Sequence, residues 1–193
     1  MTSLTVDDGF VAILDAARAN EPWAFERLFR WLGAPVAGYL RAQGAFDPDD
    51  LANEVFLQAF THLDRFSGDE TRFRTWVFAI AHHRLVDERR RAACRPRVRP
   101  GALDGFAAAP AGNVEDEVLE SLGEQRVREL LGRLAPAQQS VLLLRILGDL
   151  TVAQTAEALG RSLGAVKALQ RRGLACLRRE LGAEAVPPGR PAA

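Results

Sequence analysis

Cysteine is scarce in this chain. Only Cys94 and Cys176 occur in 193 residues, too few for a disulfide framework, and no Cys/His spacing matches a four-ligand zinc site. Two unpaired thiols point to a reducing compartment. Long apolar runs are missing too: none approaches membrane-spanning length, and no charged-then-apolar leader opens the chain. The expectation is a soluble, cytoplasmic protein with no membrane partner. Alternating Val-, Ile- or Thr-rich stretches are nearly absent, which argues against a sheet. Net charge is also absent, at a formal +0, and taken alone this argues against a nucleic-acid partner.

The charges that are there cancel only in the sum. Residues 44–70 carry seven acids against Arg65, whereas residues 72–99 carry nine arginines against Asp87 and Glu88. Residues 104–124 hold six acids and no base, and residues 125–181 hold ten bases against four acids. Two basic blocks separated by acidic ones suggest two DNA-contacting surfaces and acidic surfaces with another task.

Ala, Leu, Arg and Glu dominate with a period near 3.6, which predicts an all-α protein. Helices are expected at 8–19, 22–43, 47–63, 72–91, 115–133, 136–147, 151–159 and 163–180. Pro22, Pro48 and Pro136 fall where a first helical turn begins, and Gly44 and Gly148 where helices end. The Pro-, Gly- and Ala-rich segment in between has little to bury. The expected organisation is a helical domain at 1–91, a flexible linker at 92–117, a second helical domain at 118–181 and a disordered tail at 182–193.

The second basic block contains a helix-turn-helix. Thr151 and Gln154 form a capping box, Ala153, Ala156 and Leu159 allow a close crossing, Gly160 ends one helix and Ser162 caps the next. On that last helix Val166, Leu169, Gly173, Leu174, Leu177 and Leu181 share a side at the spacing of a packed face, with Gln170 also on it. Lys167, Ala168, Arg171, Arg172, Arg178 and Arg179 point elsewhere, a composition suited to the DNA major groove.

In the first domain, Leu51, Val55, Ala59 and Leu63 recur at i+4 and predict a core stripe. Asp47, Asp50, Asn53 and Glu54 gather at the start of the same helix. The helix dipole accounts for the leading acids; Asn53 and Glu54, with Phe56 beside them, extend the polar surface and suit a partner-binding face. The next helix interleaves aromatics with arginines, which fits stacking on unpaired bases and gripping phosphates. Phe73, Val77 and Ile80 are expected in the core; Trp76, His83, Arg84, Asp87 and Arg90 are expected at the surface.

DPDDLANEVFLQAF, then FRTWVFAIAHHRLVDERRR, then a loose segment, then LTVAQTAEALGRSLGAVKALQRRGLACLRR resembles, in that order, the extracytoplasmic-function (ECF) sigma factors of bacterial RNA polymerase. Residues 22–91 are similar to sigma region 2 and residues 124–181 to sigma region 4. The resemblance implies that Asp50, Leu51, Asn53 and Glu54 dock on the clamp coiled coil of the β′ subunit. It implies that Ser67, Arg72, Trp76, His83, Arg84, Asp87 and Arg90 melt the −10 element and hold its non-template strand. Region 4 would rest on the β flap and read the −35 element through Ser162, Ala165, Lys167, Ala168, Arg171 and Arg172. Promoter DNA and a separate anti-sigma factor are the further implied partners; no cofactor, metal ligand or catalytic residue is implied. His83 stands where the family often has Asn, and Ala165-Val166-Lys167-Ala168-Leu169 replaces the common Thr-Val-Lys-Ser-Arg, differences that bear on promoter sequence.

Two other classes compete. A conventional helix-turn-helix regulator would need a ligand-binding or dimerising first domain, and no pocket signature is visible. A metal enzyme built on His62, His82 and His83 meets the obstacle that adjacent helical residues point about 100° apart, and no HExxH, P-loop or dinucleotide motif occurs.

Overall fold

Proline and short polar side chains set where the helices begin. The computed structural model describes residues 6–94 and 126–184, and among them there is no strand. The elements are α1 (Val6–Arg18), α2 (Pro22–Ala42), α3 (Pro48–Thr61), a 3-10 turn (Leu63–Arg65) and α4 (Glu70–Cys94). They continue with α5 (126–132), α6 (Pro136–Ile146), α7 (Val152–Ala158) and α8 (Leu163–Glu184). Pro22, Pro48 and Pro136 each open their helix, where a missing N–H costs nothing. Asp47 Oδ1 accepts from Asp50 N at 2.9 Å and caps α3. Asp69 Oδ1 accepts from Arg72 N at 2.7 Å, which starts α4 two residues before the expected 72. At its other end α4 runs past 91 to Cys94, and α8 runs past 181 to Glu184. The rest of the expected linker and tail lies outside the described residues. Among those described, no helix is long and apolar enough to cross a membrane.

α1 to α4 pack around aromatic side chains. Phe73 lies within 6.3 Å, ring to ring, of Phe10, Trp31, Phe66 and Trp76. Leu28, Leu32, Val36, Leu40, Val55 and Val77 close the centre. The helix-turn-helix closes on its own smaller core of Val141, Ala156, Val166 and Leu169. α8 can approach α6 because position 173 lacks a Cβ: one built there would stand 3.0 Å from Leu142 Cδ1.

The two groups of helices also share a core. Leu143 and Leu144 of α6, Leu150 and Ala158 are buried in the same apolar cluster as Val36, Val77 and Phe78. Polar contacts cross the seam. Gln43 Nε2 donates to Ser140 Oγ at 2.8 Å, Gln139 Nε2 donates to the Ala42 carbonyl at 2.9 Å, and Arg74 pairs with Asp149 at 3.0 Å. Asp149 is largely exposed, so that pair contributes about 0–1 kcal/mol. Each fully buried Leu is worth roughly 1.5–3 kcal/mol, so the leucines hold the seam and the polar groups set its register.

Candidate functional site

α3 turns its apolar stripe inward and its acids outward. Asp50 and Asn53 are exposed. Glu54 is half-buried and lies 3.5 Å from Arg84 Nη1 of α4. Leu51 departs from its expected role as a docking residue: it is 7% exposed, because it lies one helical turn from buried Val55 on the inward stripe. Phe56, expected beside the polar surface, is likewise in the core between Phe29 and Phe60.

Along α4, His83, Asp87 and Arg90 are exposed at helical spacing. Ser67 and Arg72 are exposed before and at the start of that helix. Trp76 is only half exposed and stacks on Phe66, with ring centroids 5.1 Å apart and planes 21° apart. It forms a wall of the site with part of its ring open to solvent. Arg84 is less free than expected. Its Nε donates to Gln58 Oε1 at 2.8 Å and its guanidinium faces Glu54, so it bridges α4 to α3.

Between these elements lies an open cavity of about 430 Å³, lined by Gln58, His62, Arg65, Ser67, Arg72 and Trp76. Gln58 and Arg65 were not foreseen as site residues, and His62 was named only for the competing metal-enzyme reading. Gln58 lies in the last turn of α3, His62 caps that helix and Arg65 ends the 3-10 turn that follows, and nothing in residue spacing announces that turn. Glu157 of α7 also lines the cavity, a neighbour that only the packing of the two helical groups supplies. Inside the seam, His82 Nδ1 is 2.9 Å from Tyr39 Oη. Desolvation lowers the His82 pKa to about 4, helped by His83, Arg89 and Arg161, and burial raises that of Tyr39. Both are neutral at pH 7. Among the described residues no group of His, Cys, Asp and Glu has metal-binding geometry.

The turn before α8 forms as its residues dictate. Thr151 and Gln154 cap α7 reciprocally, at 3.3 and 2.6 Å. Gly160 takes φ +60°, which only glycine adopts without cost. Ser162 Oγ accepts from Ala165 N at 3.3 Å. Of the expected crossing residues Ala156 is buried, but Ala153 is exposed; Thr155 and Ala158 are the other buried positions of α7. On α8, Lys167, Arg171 and Arg172 are exposed, as are Arg178 and Arg179, while Ala165 and Ala168 are half-buried. Val166, Leu169 and Gly173 face inward as expected, but Leu181 is 53% exposed, because α8 outruns the helices beneath it. Cys176 is half-buried, with its thiol 3.9 Å from the Arg133 carbonyl.

Residues 17–94 match the family described as sigma-70 region 2, and residues 124–177 the family described as sigma-70, region 4. The ECF RNA polymerase sigma factor BldN of Streptomyces coelicolor is 33% identical over 171 residues, covering 88% of this chain and 64% of that protein. The chain thus spans just under two thirds of that relative. The ECF RNA polymerase sigma factor SigD of Mycobacterium tuberculosis is 32% identical over 177 residues, covering 88% of this chain and 82% of its own. Among solved structures, CnrH in complex with the cytosolic domain of CnrY superposes with a TM-score of 0.67 at 25% identity. That match covers 91% of this chain and 99% of CnrH.

Proposed function

This chain belongs to the ECF RNA polymerase sigma factors, and on that premise we propose that it binds core polymerase and directs initiation at a specific set of promoters, with its surfaces divided among three tasks. It is a regulatory initiation factor and works in the cytoplasm, beside the polymerase. The outward polar residues of α3, Asp50 and Asn53 with part of Glu54, dock on the clamp coiled coil of β′. The loop from Ser67 to Arg72 and the α4 face bearing Trp76, His83, Asp87 and Arg90 hold the melted −10 strand. Arg84 supports that face from its bridge to Glu54. Region 4 rests on the β flap, and α8 reads the −35 element through Lys167, Arg171 and Arg172, with Ser162, Ala165 and Ala168 setting how closely the helix approaches.

One observation supports this division: the two arginine-bearing faces, on α4 and on α8, are exposed and lie on different helical groups, while the exposed polar residues on the outer side of α3 carry acids and an amide but no base. Basic faces grip phosphate and an acidic face does not, so α3 is left for a protein.

The same geometry requires a conformational change. α4 and α7 share one core, which holds the two arginine-bearing faces close together, whereas the −10 and −35 elements lie apart along the duplex. Both elements can be bound only after α6–α8 leave α2 and α4. A partner that holds the groups together keeps the factor inactive. CnrH, which matches over nearly the whole chain, was solved with the cytosolic domain of CnrY bound, and we place a separate anti-sigma protein in that role here.

Asp50→Lys tests the assignment of α3. It should weaken core binding by at least about tenfold while leaving the fold intact, since Asp50 lies off the buried stripe; the lost acid at the helix N-terminus should cost only about 0.3–1 kcal/mol of stability. Wild-type affinity in that variant would remove α3 from the interface.

A further inference from the structure

One acid stands where the task given to the first helical group calls for none. The cavity beside Trp76 is basic and aromatic on the side that this group supplies, with His62, Arg65 and Arg72 around the ring. Glu157 is the one acid among the residues lining it, and it comes from α7 of the second group. A carboxylate at the wall of a site for phosphates lowers the affinity of that site. It does so only while α7 stays there.

Packing fixes where the acids of the second group fall. Leu150 and Ala158 are buried in one cluster with Val77 and Phe78 of α4. The turn before α7 lies close on α4: a Cβ on Gly148 would stand 3.4 Å from Phe78. Asp149 follows with φ +49°, a left-handed conformation that aspartate adopts more readily than most side chains. From there its carboxylate reaches Arg74 at 3.0 Å, on the side of α4 where that guanidinium also lies 5.1 Å from the centre of the Trp31 ring. Glu157 differs from Asp149. It is exposed, and among the described residues no ion pair engages it, Arg65 or Arg72. One acid fastens the turn to α4; the other is carried to the cavity with its charge unspent.

We propose that α7 is a built-in mask of the −10 strand site: Glu157, held at the cavity by the closed seam, repels the DNA backbone from Arg65, Arg72 and Trp76 until α6–α8 move away. The mask presupposes the assignment of α4 to the melted strand, and adds to it a device that works within the chain, before any partner protein binds. Screening acts over about 8 Å at physiological salt, and Glu157 shares a single cavity with the arginines it masks. The order of events follows from the seam. Separation of the two groups, which binding both promoter elements requires, also removes the wrong charge from the strand site. The free chain therefore has little hold on unpaired DNA, and the chain opened on polymerase has more.

Anisotropy of a labelled single-stranded DNA of mixed sequence, titrated with the full chain, tests the proposal. Glu157→Gln keeps the shape of the side chain and removes its charge. It should tighten binding by the free chain about five- to tenfold at low salt, with the gain shrinking as salt rises. Glu21→Gln, which removes an exposed acid that does not line the cavity, should bind as wild type. Adding Arg72→Ala to Glu157→Gln should cancel the gain. In the complex with core polymerase, wild type and Glu157→Gln should hold the strand alike, and more tightly than core alone. Wild-type affinity in the free Glu157→Gln chain would overturn the mask. So would an equal gain with core bound, which would make Glu157 a repulsive surface charge in every state. A gain that survives Arg72→Ala, or a core complex that holds the strand no better than core alone, would remove the α4 assignment and the mask with it.

Discussion

At the scale of single residues, His82 shows what pairwise packing adds to a sequence. Its neighbour His83 is exposed and was expected to be, but nothing in the run Ala-His-His-Arg tells which histidine turns inward. The structure sets His82 against Tyr39 of α2, His83 and Arg89 of α4 and Arg161 beyond α7. Desolvation first, and then those cations, lower its pKa to about 4. Unfolded, the imidazole titrates near 6.5. Between those values the unfolded chain binds a proton that the folded chain refuses, so stability is whole above about pH 6.5 and declines toward pH 4. Chemical denaturation across that window should show a steeper acid loss in wild type than in His82→Gln, which keeps a polar partner for Tyr39 and cannot titrate. Parallel slopes would mean that His82 is solvated. Leu51 teaches the opposite lesson. Its place one turn from Val55 was legible, and burial on that stripe should have outweighed its assignment to a surface.

At the scale of elements, the sequence was most informative. Three prolines at helix starts and the Thr151–Gln154 and Ser162 caps place boundaries to within one or two residues, because each acts through its own backbone. The sequence does not mark a boundary where side chains continue a helix without a local signal, as at Ala92 and Ala93 in the last turn of α4. α8 was legible down to its inward face, Val166, Leu169 and Gly173, since one helix lying on two others imposes a simple period. Its exposed stripe carries a prediction. Lys167→Ala and Arg171→Ala should each reduce initiation from a −35-dependent promoter. A lost base contact should cost roughly 1–3 kcal/mol and relax preference at one position, whereas a lost phosphate contact should lower the salt slope by about one ion. Footprinting and salt titration distinguish the two, and a variant unchanged in both would take that side chain off the DNA.

At the scale of the whole molecule, composition was a poor guide and arrangement decided everything. A formal charge of zero conceals two basic faces and one acidic face. What no periodicity reveals is that the two helical groups share buried apolar side chains across α2, α4, α6 and α7, and that Glu157 comes to line the cavity beside Trp76. Those contacts join residues about 100 positions apart in the chain, such as Gln43 and Ser140, and local pattern carries no record of them. The closed seam has a measurable consequence. Spin or fluorescent labels on exposed positions of α3 and α8 should report a short distance in the free chain and a much longer one when core polymerase and promoter DNA are added. An unchanged distance in the ternary complex would mean that the groups never separate.

The claim beneath all of this is that the chain gives core polymerase its promoters. In vitro transcription over a library of genomic fragments tests it most directly, with core enzyme alone, the chain alone and the two together. Transcripts with defined start sites are expected only in the combined reaction, from fragments sharing two elements upstream of the start. The combined reaction yielding no more specific initiation than core enzyme alone would contradict it.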